Sequence, residues 1–116
     1  MSRVSINRVE LRGNVGQEPK ISKVNETEVI RFSLATHEAY KDKNGELKEE
    51  TTWHNVVAWK GQGMPNFEEI KKGANLSIEG KIRNGKFTNS KGEEKAFSEV
   101  IALKITVNES SATIMV

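Results

Sequence analysis

The sequence predicts an all-β domain: a closed barrel of five strands, one short helix between the third and fourth strands, and long protruding hairpin loops. Three observations predict it. Apolar residues recur at every second position in several short segments, the period of a strand with one buried face. Gly, Asn and Asp punctuate those segments. Only one stretch carries helix start and stop residues, and a helix so short is not stable alone.

The first strand alternates Val9, Leu11, Gly13 and Val15 with Arg8, Glu10, Arg12 and Asn14. A second segment sets Ile30, Phe32 and Leu34 against Val29, Arg31, Ser33 and Ala35. A third strand, Thr52–Trp59, puts Trp53, Asn55, Val57 and Trp59 on one face. The helix is expected after Asn66, its N-cap, with Glu69 as capping-box partner. Phe67 and Ile70 would face the core, and Gly73 would end the helix. Leu76, Ile78, Gly80 and Ile82 then alternate with Ser77, Glu79, Lys81 and Arg83. In the last strand Phe97, Ile101, Leu103, Ile105 and Val107 share one parity, which only Glu99 breaks. Turns are expected at Asp42-Lys43-Asn44-Gly45 and Asn89-Ser90-Lys91-Gly92. This layout suits the oligonucleotide/oligosaccharide-binding (OB) barrel, whose open end a helix plugs.

The chain of 116 residues is long enough for one domain with one core, expected over residues 1–107, followed by a short polar end at 108–116. A net charge of +2 does not announce nucleic-acid binding. No apolar run resembles a signal peptide or a membrane span, so a soluble cytoplasmic protein is expected. Catalysis is not expected. Cysteine is absent, and His37 and His54 lie in no nucleophile or metal motif. Gly13-Asn14-Val15-Gly16 lacks the lysine of a phosphate loop. No metal and no cofactor are expected.

The aromatics carry the functional reading. Tyr40 and Phe87 stand in polar stretches, each beside a lysine. They either cover their own hairpins or offer stacking platforms for bases. Trp53 and Trp59 either line a binding face, or one of them packs at the barrel end.

At these residues the sequence resembles the bacterial single-stranded-DNA-binding protein family. The matching pieces are Asn7-Arg8-Val9, Gly13-Asn14-Val15-Gly16-Gln17-Glu18-Pro19 and Phe32-Ser33-Leu34-Ala35-Thr36 with Tyr40-Lys41-Asp42-Lys43. Thr52-Trp53-His54-Asn55-Val56-Val57, Lys72-Gly73, Ile78-Glu79-Gly80-Lys81-Ile82-Arg83 and Glu99-Val100 follow in order. The resemblance implies sequence-tolerant binding and protection of single-stranded DNA in replication, recombination and repair. It implies base stacking by Tyr40, Trp53, Trp59 and Phe87, and phosphate contacts from Arg3, Lys41, Lys43, Lys48, Lys72, Arg83 and Lys86. A homotetramer and a nucleoid-associated location are further implied.

There are departures. The family's long acidic-tipped tail has no counterpart before Val116, so tail-mediated recruitment of replication partners is not expected. Ala96 stands where the family often has an aromatic, next to Phe97. Glu10 and Arg12 stand at first-strand positions that are usually apolar. The alternative is an OB-fold primosome-type adaptor acting mainly through protein contacts. Beyond Arg83, Asn84-Gly85 is a hairpin signal in its own right. The resemblance instead runs the strand through Phe87 to a turn at Asn89–Gly92, with Gly85 as a β-bulge.

Overall fold

The computed structural model describes residues 3–108. Six strands form one sheet: β1 (Val9–Val15), β2 (Lys20–Val24), β3 (Thr27–Lys41), β4 (Leu47–Trp59), β5 (Asn75–Thr88) and β6 (Glu94–Asn108). The order is β1-β5-β6-β4-β3-β2, and β1 also pairs with β3. That extra pairing, Asn14 with Ala35 and Val15 with Leu34, closes five strands into a barrel and leaves β2 as an outlying edge. A side chain at Gly13 would come within 2.1 Å of the Ala35 carbonyl oxygen, so β1 can approach β3 only through glycine.

The core follows the expected alternation in β1, in β3 and in β5 as far as Gly80, except that Ile82 is exposed and Val29 and Ala35 are buried on the other parity of β3. Val15, Ile30, Phe32, Leu34, Leu76 and Ile78 are buried together with Val56 and Ala58 of β4. The first strand is extended by a side chain. Asn7 donates through Nδ2 to the Ile82 carbonyl at 2.8 Å and accepts through Oδ1 from the Ile82 N–H at 2.9 Å. It thereby continues the ladder past Val9–Gly80.

The expected helix is not formed. Among the described residues its place holds one 3-10 turn, Phe67–Glu69. Asn66 is the N-cap as expected, but its side chain accepts from Glu68 N, and Ile70 already has extended backbone. The physical reason is that, with Phe67 and Ile70 both buried, the residues after Ile70 must extend to bond β1, where Val15 N donates to Ala74 O. A tight turn that releases the chain at Ile70 achieves this. Each end is tied to a strand: Gly63 O accepts from Ile105 N, and Gly73 N donates to Val15 O.

The parity expected for β6 holds only in its second half. Between Glu79–Lys104 and Gly80–Ala102 the register shifts, leaving Leu103 as the extra residue. Ile105 is buried on one side of this bulge, and Val100 and Ala102 on the other. Phe97, Glu99 and Ile101 therefore face outward, which is why an acid could interrupt an apolar series. The bulge is thus at Glu79/Gly80, and Gly85 is no bulge: it pairs regularly with Phe97.

Two long hairpins project from the barrel. β3 and β4 pair as far as Lys41–Leu47, and β5 and β6 as far as Thr88–Glu94, so the chain passes Asn84-Gly85 without turning. Both tips have one design. Asp42 Oδ1 accepts from Asn44 N and Glu46 N, and Asn89 Oδ1 accepts from Lys91 N and Glu93 N. The glycines, Gly45 and Gly92, sit at φ +80 and +81. Asp42→Ala and Asn89→Ala should each fray one tip at a cost of about 1 kcal/mol while leaving the barrel intact. Hydrogen exchange should show faster exchange confined to the mutated tip; loss of protection in the barrel strands would refute it.

The expected polar end, apart from Asn108, lies outside the described residues, as does the question of a tail. Among the described residues no helix is long and apolar enough to cross a membrane.

Candidate nucleic-acid interface

Residues directly opposite in a sheet share a face. Val56 and Ala58 point into the barrel, so Trp53, Asn55, Val57 and Trp59 point out. Trp53 is 59% exposed and Trp59 44%, so neither packs into the barrel end. On β3 the same outer face carries Arg31 opposite Val57 and Ser33 opposite Asn55. The parallel β4–β6 pairing, Val57 with Ile101, carries the face on to Phe97 and Glu99. On β5 it continues with Arg83 opposite Glu99 and Phe87 opposite Lys95. Trp53, Trp59, Arg83 and Phe87 are therefore brought together on one side of the molecule.

The face is indented. One depression is lined by Arg31, Asn55, Arg83, Phe97, Ser98 and Glu99, and an adjoining one runs from Trp53 past Asn55 to Phe97. Two glycines seat its aromatics. A side chain on Gly16 would fall 2.2 Å from the Trp53 ring, and one on Gly85 would fall 2.5 Å from the Phe97 ring. Phe97 touches Phe87, with centroids 6.3 Å apart and tilted by 48°. Arg83 Cζ lies 5.8 Å from the Phe97 centroid, a cation–π contact.

The other candidates are spread more widely. Tyr40 is half exposed and pairs with Lys48, on the alternate that carries Leu34 rather than the tryptophans. Lys41 and Lys43 lie exposed at the tip of the β3–β4 hairpin, where Lys48 is 3.5 Å from Glu46. Lys86 faces away from Phe87 and pairs with Glu94 at 3.3 Å. Lys72 precedes Gly73, which bonds the residue before Gly16. Arg3 is exposed ahead of β1.

Sequence reasoning missed Arg31, Asn55, Phe97 and Glu99. Asn55 was visible as the polar residue between two outward tryptophans. The other three depend on register across strands distant in sequence. A third depression, over β1, β5 and β6, is lined in part by Glu10, Arg12, Glu79 and Lys104. Its mixed charge gives a phosphate backbone no continuous track.

A closed five-strand barrel with exposed aromatics and arginines on one outer face defines a nucleic-acid-binding module of the OB type. The chain belongs to the Single-strand binding protein family, whose model matches residues 6–108. It is a binding protein and not an enzyme. It is 37% identical over 103 residues to the mitochondrial single-stranded DNA-binding protein of Drosophila melanogaster, covering 84% of this chain and 68% of that one. It is 41% identical over 101 residues to the single-stranded DNA-binding protein of Rickettsia typhi, covering 84% and 66%. The chain thus spans about two thirds of the length of these relatives. The solved Plasmodium falciparum SSB in complex with ssDNA superposes with a TM-score of 0.81 at 29% identity, over 94% of this chain and 100% of that one.

Proposed function

We propose that this chain binds and protects single-stranded DNA without regard to sequence, in replication, recombination and repair. The carrying observation is the outward placement of both tryptophans on the face that also bears Arg31, Arg83 and Phe87. Bases stack on Trp53, Trp59, Phe87 and Tyr40, and Arg83, Lys41, Lys43, Lys48, Lys72, Lys86 and Arg3 meet phosphates. Stacking is nearly base-blind because every base has a π-face. The two hairpins flank the face and supply its outlying contacts. A cytoplasmic, nucleoid-associated location fits this role, as does the organelle of the fly relative.

Self-association as a homotetramer belongs to the same reading. β1 pairs with β3 only at Asn14 and Val15, so among the described residues Val9–Gly13 have no partner on that edge. A second β1 can add there, with Glu10 and Arg12 paired across the antiparallel contact.

The test is a titration with oligo-dT of increasing length, read by tryptophan fluorescence with mass measured in solution. Stacking should quench Trp53 and Trp59, and log affinity should fall with log salt at about −0.7 per phosphate contact. Duplex of equal length should bind far more weakly. An unchanged spectrum with no DNA-dependent mass would instead favour the protein-contact adaptor. A monomer at micromolar concentration would remove the tetramer alone.

A further inference from the structure

A carboxylate stands in the middle of the face that should meet phosphates. Glu99 Oε1 is 3.4 Å from Arg83 Nη1, and Glu99 Oε2 is 3.7 Å from Arg31 Nη1. Arg83 reaches in from β5 and Arg31 from β3, two strands that are not neighbours. The Glu99 side chain is only 15% exposed, whereas both arginines are 61% exposed. The acid is seated in the floor, and the guanidiniums lie over it, open to an incoming anion.

We propose that Glu99 is an internal counter-anion. It occupies Arg31 and Arg83 in the free protein and yields them to a backbone phosphate of the bound strand. It thereby sets how tightly, and with what salt dependence, the chain holds single-stranded DNA. This rests on the binding reading above. Two guanidiniums sharing one carboxylate keep a net positive charge, so the pair still attracts phosphate. When a phosphate takes the arginines, however, the freed Glu99 carboxylate stays on the face as a negative charge, so fewer of the strand's condensed cations are released in net. The two arginines then contribute less to the salt slope than two unpaired arginines would. The Arg83 cation–π contact with Phe97 keeps that guanidinium on the face once the carboxylate lets go.

The experiment compares Glu99→Gln with Glu68→Gln, an identical charge change on the 3-10 turn, by oligo-dT titration across a salt series. Glu99→Gln should bind roughly fivefold tighter than Glu68→Gln at low salt, with a slope steeper by about 0.7–1.4, one or two added phosphate contacts. In an Arg31→Ala/Arg83→Ala background the gain should vanish, which a merely structural role for Glu99 does not predict. Equal or weaker binding by Glu99→Gln, or a gain that survives loss of both arginines, overturns the proposal. Should Glu99→Gln fail to fold, Glu99→Asp replaces it. The shorter acid reaches one arginine, so the slope should steepen by about 0.7, and an unchanged slope is the overturning result. Failure of the native protein to bind oligo-dT sinks the binding reading instead.

Discussion

Gly80→Ala should cost the barrel about 3 kcal/mol, near the top of the range for forcing atoms into a packed site. The added methyl would lie 2.2 Å from the Ile101 carbonyl oxygen and 3.0 Å from its carbon. Both are backbone, at the point where the β5–β6 register shifts. Relief requires separating β5 from β6 at the bulge. At about 4–8 °C per kcal/mol for a domain near this size, the melting temperature should drop by roughly 12–24 °C. A drop under about 5 °C would mean that the bulge relaxes freely.

Trp53→Ala should weaken oligo-dT binding by about 1–3 kcal/mol, roughly 5- to 150-fold, with little loss of stability. The ring is 59% exposed but rests against Gly16, so it is a platform held in position before any base arrives. Little side-chain freedom is then lost on binding. Binding by the folded variant at native affinity would take Trp53 off the interface, and a large fall in melting temperature would make it a structural residue.

The legible parts of this molecule are those decided within one strand. Alternation in β1, β3 and β5 marked Val15, Leu34 and Leu76 as interior, and the even spacing of Trp53 and Trp59 put them on one face. The tips at Asp42 and Asn89 were readable because side chain and glycine act within five residues. What failed depended on a neighbouring strand. Phe97 looked interior because nothing local announces that Leu103 is skipped by β5. Gly85 looked like a bulge, whereas its bare surface serves the Phe97 ring across the ladder. The helix failed likewise: Asn66 is the expected start, but the chain leaves the turn at Ile70 rather than at Gly73, drawn off to bond β1. Arg31 and Glu99 lie 68 positions apart in sequence, and the fold alone joins them.

The parallel contact between β4 and β6 spans only two register pairs, Val56–Val100 and Val57–Ile101. It is one of two seams between the hairpins; the other is β1, which pairs with both β5 and β3. The separation of the fingers is therefore fixed near their roots, by this short stitch on one side and by β1 on the other. Any polymer held by both fingers binds only the folded domain and so reinforces both seams. Grip and integrity become one linked equilibrium: the domain is hardest to unzip when loaded.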